Sequence, residues 1–212
     1  MTLNKQSVTR VYTNAIHNIE DIEHIGSLSS ICNNHTLYLF KIGVLCNSAH
    51  LNPERHIGSP TEIAILEFAA KIGLEDTRFK HQKVSEIPFS SDFKFMAVNL
   101  VLENESVWYV KGAVDAILSK CTRVYISDSE SRVLDIESKE RLHVVSRSIE
   151  SDGGLRVICF AYGKSLEALT FVGFIGMSDP LRKGVAEGVR RLMSAGVKVV
   201  MITGDSGIFH VT

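Results

Sequence analysis

The chain has 212 residues, of which 45% are hydrophobic, and its 23 basic residues nearly balance its 24 acidic ones. This length suffices for one large domain or two small ones with packed cores. The charge balance argues against a nucleic-acid partner, and no apolar run approaches the roughly 20 residues that span a bilayer. The four cysteines form no CxxC pair and the histidines no HxxxH pattern, so the sequence predicts neither disulfides nor a metal site.

The first part of the chain contains one clear helix start. Residues 59–62 read Ser-Pro-Thr-Glu, which supplies an N-cap serine, a proline at the first helical position and the glutamate of a capping box. The apolar residues that follow predict a mostly buried helix ending at Gly73. Before it, the apolar run 36–46 fits either a buried helix or a buried strand.

The middle of the chain is rich in strand signals. Residues 93–102 and 107–110 flank a polar turn and predict an antiparallel hairpin. Residues 113–120 and 135–149 have the patterns of helices, and residues 155–162 predict a further strand.

From residue 170 the pattern changes to continuous apolar runs. Residues 170–177 and 197–202 each predict a fully buried strand, and between them Val185, Val189 and Leu192 share one face of a predicted helix. A strand, a helix and a second strand in this order favour a βαβ unit in a parallel sheet. The chain therefore predicts an α+β domain followed by the edge of an α/β domain.

Several residues could carry chemistry, although each signal is weak alone. Asp179 and Asp205 follow the two predicted parallel strands, where ligands of open α/β sheets bind. These carboxylates suit a magnesium ion and phosphate, or they merely end strands and cap helices. Lys111 could place its ammonium over an adenine ring or near phosphates, or it is a solvated lysine at a strand end. Phe89 could stack on a base and Arg156 could reach a phosphate, although such residues more often lie in a core and on a surface.

Seven motifs follow one another along the chain. They are Cys46-Asn47, Pro60-Thr61-Glu62, Pro88-Phe89-Ser90-Ser91 with Lys94 and Met96, Lys111-Gly112-Ala113, Gly154-Leu155-Arg156, Asp179-Pro180 with Arg182, and Met201-Ile202-Thr203-Gly204-Asp205. In order and spacing this set resembles the P-type ATPases over nearly the whole chain. It looks closest to the secretory-pathway, or Golgi-type, calcium ATPases, for which manganese is a second candidate ion.

The resemblance implies an α+β nucleotide-binding domain, an antiparallel sheet with flanking helices, joined to a partial α/β haloacid-dehalogenase-like βαβ unit. Residues 1–10 would be a remnant of the phosphorylation domain, 11–168 the nucleotide-binding domain and 169–212 a partial phosphorylation domain. The phosphorylated aspartate of the family would lie upstream of residue 1, so no residue of the chain is predicted to be catalytic.

By the same likeness, Phe89 would stack on adenine, Lys111 would pack over the base and Glu62 would bond the adenine amino group. The implied ATP-binding set is Thr61, Glu62, Phe89, Ser91, Lys94, Met96, Lys111, Gly112 and Arg156. The implied hinge and phosphorylation-domain set is Asp179, Arg182, Thr203, Gly204 and Asp205. Ser91 stands where many calcium pumps have arginine, although serine is usual in the Golgi-type group.

The implied cofactors are ATP and Mg²⁺. The implied partners are the remaining phosphorylation, actuator and transmembrane domains of a parent pump at the cytosolic face of a Golgi or endoplasmic-reticulum membrane. Alone, the chain would bind ATP without completing catalysis. Two alternatives remain open: a fragment of a haloacid-dehalogenase-type phosphatase, and a non-catalytic nucleotide-binding module.

Overall fold

The computed structural model describes residues 6–13, 19–21, 33–102, 104–178 and 184–200. The strands of this part are β1 (Ser7–Thr13), β2 (Ile19–Asp21), β3 (Gln82–Ile87), β4 (Phe95–Leu102), β5 (Glu105–Gly112), β6 (Cys121–Ser127), β7 (Glu130–Val133), β8 (Arg156–Gly163) and β9 (Leu169–Ser178). The helices are α1 (Asn34–Leu45), α2 (Pro60–Lys71), α3 (Val114–Leu118), α4 (Ile136–Gly153) and α5 (Val185–Ser194), with a short 3₁₀ turn at Arg78–Lys80.

The described strands form one mixed sheet in the order β2-β1-β9-β8-β5-β4-β3, in which each neighbouring pair is antiparallel. Strand β6 joins the sheet parallel to β9 and carries β7 on its other side. Helices α1 and α2 pack on one face, whereas α3 and α4 pack on the other. The result is an antiparallel sheet core with flanking helices, as the resemblance implies.

Strand β9 corrects one prediction. Its apolar run suggested a parallel strand of a second unit, but β9 pairs antiparallel with both β1 and β8. The run is continuous because this central strand is covered on both faces: Phe171 and Phe174 face one apolar core, and Val172 and Ile175 face the other. A strand buried on both faces loses the alternation of polar and apolar residues that would reveal its neighbours. The predicted boundary at residue 169 therefore falls inside this sheet.

The second predicted parallel strand is not confirmed in the residues that the structure describes. Residues 197–200 are exposed and form no strand, and residues 201–202 lie outside the described part. The intervening helix is confirmed as α5, and none of its residues is buried. The described residues thus contain no βαβ unit. No helix in the described ranges is long and apolar enough to cross a bilayer.

The predicted start of helix α2 and the predicted hairpin are confirmed. The Ser59 side chain accepts a hydrogen bond from the Glu62 backbone N–H at 3.3 Å and caps helix α2, which ends just before Gly73. Strands β4 and β5 form the predicted hairpin. The ambiguous run before them is helix α1, whose side chains pack against the sheet.

Candidate functional site

A cavity of about 540 Å³ opens where helix α2 begins beside the ends of β4, β5 and β8. Its volume is in the range of small-molecule sites. All of the predicted ATP-binding residues except Ser91 line it. The wall consists of Ser48, Ser59, Thr61, Glu62, Pro88, Phe89, Lys94, Met96, Lys111, Gly112, Ala113, Arg156, Val157 and Ile158. The fold therefore brings together residues that are up to 110 positions apart in the sequence, from Ser48 to Ile158.

A buried ion pair lies at the centre of this wall. The Lys111 ammonium is 2.7 Å from Glu62 Oε1, and the two side chains are 8% and 14% exposed. Lys111 points to this side because it pairs across the sheet with Met96 of β4 and Phe160 of β8. Since Lys111 is buried, the alternative of a solvated lysine at a strand end is wrong. A buried charge of this kind is stable only with its partner in place.

Glu62 is held in its charged form by three donors, of which the Lys111 ammonium is one. Its Oε1 also accepts the backbone N–H of Ser48 at 3.0 Å, and its Oε2 accepts the Ser59 hydroxyl at 3.4 Å. Burial raises the pKa of Glu62, but the Lys111 ammonium and these hydrogen bonds hold that pKa below its ordinary value. Glu62 is thus a fixed, ionised acceptor with Oε2 the less occupied oxygen.

Phe89 contributes an exposed aromatic ring to the cavity wall. It lies in the loop between β3 and β4 and is 62% exposed, so the alternative of a core phenylalanine is wrong. Met96, only 3% exposed, adds an apolar surface to the same cavity. An exposed ring beside an apolar floor is a suitable platform for stacking a planar heterocycle.

The turn after Phe89 explains the placement of Lys94 and Ser91. Lys94 has a φ of 56°. This value lies in the left-handed region, which residues other than glycine, asparagine and aspartate seldom adopt. The turn is closed by hydrogen bonds from Lys94 N to Ser90 O and from Phe93 N to Ser90 Oγ. It brings Lys94 to the cavity, whereas Ser91 lies in the turn and not in the cavity wall. A role in ATP binding stays a prediction for Ser91, as it does for the predicted residues that line the cavity.

Gly112 is required by the neighbouring strand. A Cβ atom there would lie 2.4 Å from the Lys94 carbonyl oxygen and 2.5 Å from Phe95 Cα. The sequence suggested that glycine permits close backbone approach, and the structure shows that the approaching backbone is β4. The same contact lets Ala113 N donate to Lys94 O at 2.9 Å, which fixes the turn to the end of β5.

Two further predicted residues lie at the edges of the cavity. The Thr61 hydroxyl donates to Gln6 Oε1 at 2.9 Å, which connects the first turn of α2 to the start of β1. Arg156 is the exposed first residue of β8 and follows Gly154, whose left-handed conformation ends helix α4. Asp179, Arg182, Thr203, Gly204 and Asp205 lie outside the described residues. Within the described ranges no group of three His, Cys, Asp or Glu residues could hold a metal ion.

The segment between α1 and the cavity is a contribution that sequence reasoning missed. Asn47 is 6% exposed, and its side-chain amide donates to the carbonyl oxygens of Gly43 and Glu62 at 3.2 and 3.1 Å. Its own Oδ1 accepts the Ala49 N–H at 2.9 Å. The Cys46-Asn47 motif was noted without a role. A buried asparagine directly after an apolar helix was the available signal, because a buried amide needs several partners.

Comparison with known proteins identifies the family of the chain. Residues 36–184 match the family model of the P-type ATPase cytoplasmic domain N, and the chain belongs to that family. The chain is 31% identical to calcium-transporting ATPase 1 of Schizosaccharomyces pombe, over 97% of this chain and 24% of that protein. It is 35% identical to calcium-transporting ATPase type 2C member 1 of Bos taurus, over 79% of this chain and 18% of that protein. The chain thus spans about a quarter or less of the length of these relatives.

Proposed function

We propose that this chain is the ATP-binding cytosolic part of a calcium-transporting P-type ATPase. The observation that carries the proposal is a single cavity that combines the exposed Phe89 ring with the buried Glu62–Lys111 pair. An aromatic surface with one fixed carboxylate and one fixed ammonium provides both affinity and selectivity for a purine. The names of the relatives support calcium as the transported ion.

Each residue would contribute one interaction to nucleotide binding. Adenine would stack on Phe89 and rest on Met96, and its amino group would donate to Glu62 Oε2, since Oε1 already accepts from Lys111 and Ser48. The Lys111 side chain would pack over the base. Charge-assisted hydrogen bonds would bind the base more tightly than neutral ones.

The phosphates would extend toward the cationic rim of the cavity. Lys94 and Arg156 line the cavity, and their positive charges would attract a polyphosphate. Mg²⁺ would be bound together with the phosphates at the phosphorylation site of the parent pump.

The chain would act by presenting ATP, and phosphoryl transfer would require a further part of the pump. The sequence contains no Asp-Lys-Thr-Gly-Thr segment, the family's phosphorylation signature. We therefore expect the isolated chain to bind ATP without forming an aspartyl-phosphate. In the parent pump it would work with phosphorylation, actuator and transmembrane domains at the cytosolic face of a Golgi or endoplasmic-reticulum membrane.

Isothermal titration calorimetry of the purified chain with ATP tests the proposal. We expect a single weak site, with GTP binding more weakly because its O6 would face the Glu62 carboxylate instead of an amino group. A folded chain that shows no heat of binding with millimolar ATP would overturn it. Acid-stable phosphoenzyme formed by the isolated chain would contradict the proposal that phosphoryl transfer requires a further part of the pump.

A further inference from the structure

Arg78 lies outside the cavity wall, and its guanidinium has two hydrogen-bond partners, Asp76 and Asn47. Its Nε and Nη2 donate to the Asp76 carboxylate at 2.9 and 2.6 Å, and its Nη1 donates to the Asn47 carbonyl oxygen at 2.7 Å. The Arg78 side chain is only 10% exposed. Because the bidentate contact with Asp76 fixes the plane of the guanidinium, Nη1 is aimed at Asn47 with little freedom.

The segment 46–49 transmits this contact to Glu62. Asn47 binds the Glu62 carbonyl oxygen through its side chain, and the next residue, Ser48, donates its backbone N–H to Glu62 Oε1. The segment lies outside any helix or strand, and apart from the backbone bond of Cys46 to Ile42 and the burial of Cys46 and Ala49, hydrogen bonds that involve side chains hold Asn47 and Ser48 in place. Arg78 therefore binds directly to Asn47, which holds the Glu62 backbone and precedes the residue that holds the Glu62 carboxylate.

We propose that Arg78 is a positioning residue of the nucleotide site, which holds segment 46–49 so that the Ser48 N–H stays on the Glu62 carboxylate. The inference rests on the proposed function for its effect on ATP, whereas the geometry it describes exists without nucleotide. Without Arg78, the Asn47 carbonyl loses a charged donor at a place that is 6% exposed. The segment then relaxes, and Glu62 loses one of the donors that favour its charged form.

The chain offers a matched control for this arginine. Arg132 Nε donates to Glu130 Oε1 at 2.8 Å, which repeats the spacing of Arg78 and Asp76, but its side chain is 65% exposed. Arg132 lies on β7 and lines no part of the cavity. Arg78→Lys is the conservative variant: it keeps the charge, but a single ammonium cannot bind Asp76 in a fork and also reach Asn47 in the same geometry.

The first experiment needs no nucleotide. The carboxyl carbon of Glu62 is followed by NMR through a pH titration in the wild-type chain, Arg78→Ala, Arg78→Lys and Arg132→Ala. We expect the Glu62 midpoint to move to higher pH in Arg78→Ala, to move less in Arg78→Lys and to stay in place in Arg132→Ala. Two other charged residues near this contact are unchanged in all four proteins. They are Lys111, which pairs with Glu62, and Glu86, whose carboxylate accepts the Ser48 hydroxyl at 3.4 Å.

The second experiment measures ATP affinity by calorimetry as a double-mutant cycle. We expect Arg78→Ala to weaken ATP binding about fivefold, and to have little further effect in a Glu62→Gln background, because the two residues act through one hydrogen bond. Equal weakening in both backgrounds would overturn the proposal.

The outcomes separate this inference from the proposed function. A Glu62 titration unchanged in folded Arg78→Ala overturns the positioning role, whatever the chain binds. If Arg78→Ala does not fold, the shift in Arg78→Lys decides in its place. If no variant binds ATP, the proposed function fails, and the nucleotide-free titration still decides whether Arg78 positions Glu62.

Discussion

The two faces of the β4–β5 hairpin differ in what their side chains do. Toward α3 and α4, Phe95, Ala97 and Val110 belong to an apolar core. Toward α1 and α2, the alternate residues Met96 and Lys111 line the cavity. The same backbone pairing therefore supports a packed interior on one face and a charged site on the other. This fold can therefore change its site residues without changing its core, because successive side chains of a strand point to opposite faces.

The largest expected effect is on the apolar face. Phe174 is fully buried in the core beneath α3 and α4, so Phe174→Ala should lower the free energy of unfolding by about 3–5 kcal/mol. Urea unfolding measures this loss, and calorimetry on the folded protein measures ATP affinity. We expect that affinity to stay within about twofold if the faces are independent. A parallel loss of affinity would show that the two faces are coupled.

The charged face should respond in both properties. Lys111→Met leaves Glu62 as a buried charge without its partner, which should cost about 3 kcal/mol of stability and weaken ATP binding by more than about tenfold. Adding Glu62→Gln should restore much of the stability measured in urea but not the affinity. Lys164→Met is the control, since Lys164 forms an exposed ion pair with Glu105, and it should cost less than about 1 kcal/mol. Equal losses in the two lysine variants would contradict a special role of the buried pair.

Phe89→Ala should separate binding from stability. The ring is 62% exposed, so we expect the free energy of unfolding to change by no more than about 0.5 kcal/mol. ATP affinity should fall about tenfold, because base–aromatic stacking contributes about 1–3 kcal/mol. Phe93→Ala is the matched control: Phe93 is 60% exposed in the same loop and does not line the cavity. If both variants weaken binding equally, the loop and not the stacked ring is responsible.

The smallest expected effect is a pH dependence that Glu62 confers. Its pKa in the folded chain lies below the ordinary value of 4.5, so its contribution to stability is complete above that value and is lost as the pH falls through the folded pKa. We expect the urea midpoint of Glu62→Gln to fall less steeply below about pH 4.5 than that of the wild type. Glu167→Gln, an exposed carboxylate 80% accessible, should follow the wild-type slope. Identical slopes in Glu62→Gln and the wild type would show that Glu62 does not contribute to the loss of stability at low pH.

The sequence predicted the site better than the sheet. The cap of α2, the β4–β5 hairpin and the residues of the cavity wall follow from short-range signals and from motif order. Strand β9 was misassigned because its pairing with β1 spans 160 to 171 residues, which no local pattern records, and because its continuous apolar run hid the hairpin that it forms with β8. Likewise, Arg78 has no local signature, since its partner Asn47 lies 31 positions earlier.

The pairing of β1 with β9 has a mechanical consequence. Ser7 at the start of β1 lies opposite Ser178 at the end of β9 in an antiparallel register. The two strand ends at which the chain enters β1 and leaves β9 are therefore neighbours, about 5 Å apart. Opposing forces applied at these two points would separate the strands one hydrogen bond at a time, as a zipper opens, and would not shear the ladder as a whole. The hydrogen bond from Thr61 to Gln6 joins the first turn of α2, and with it the cavity wall, to this end of β1.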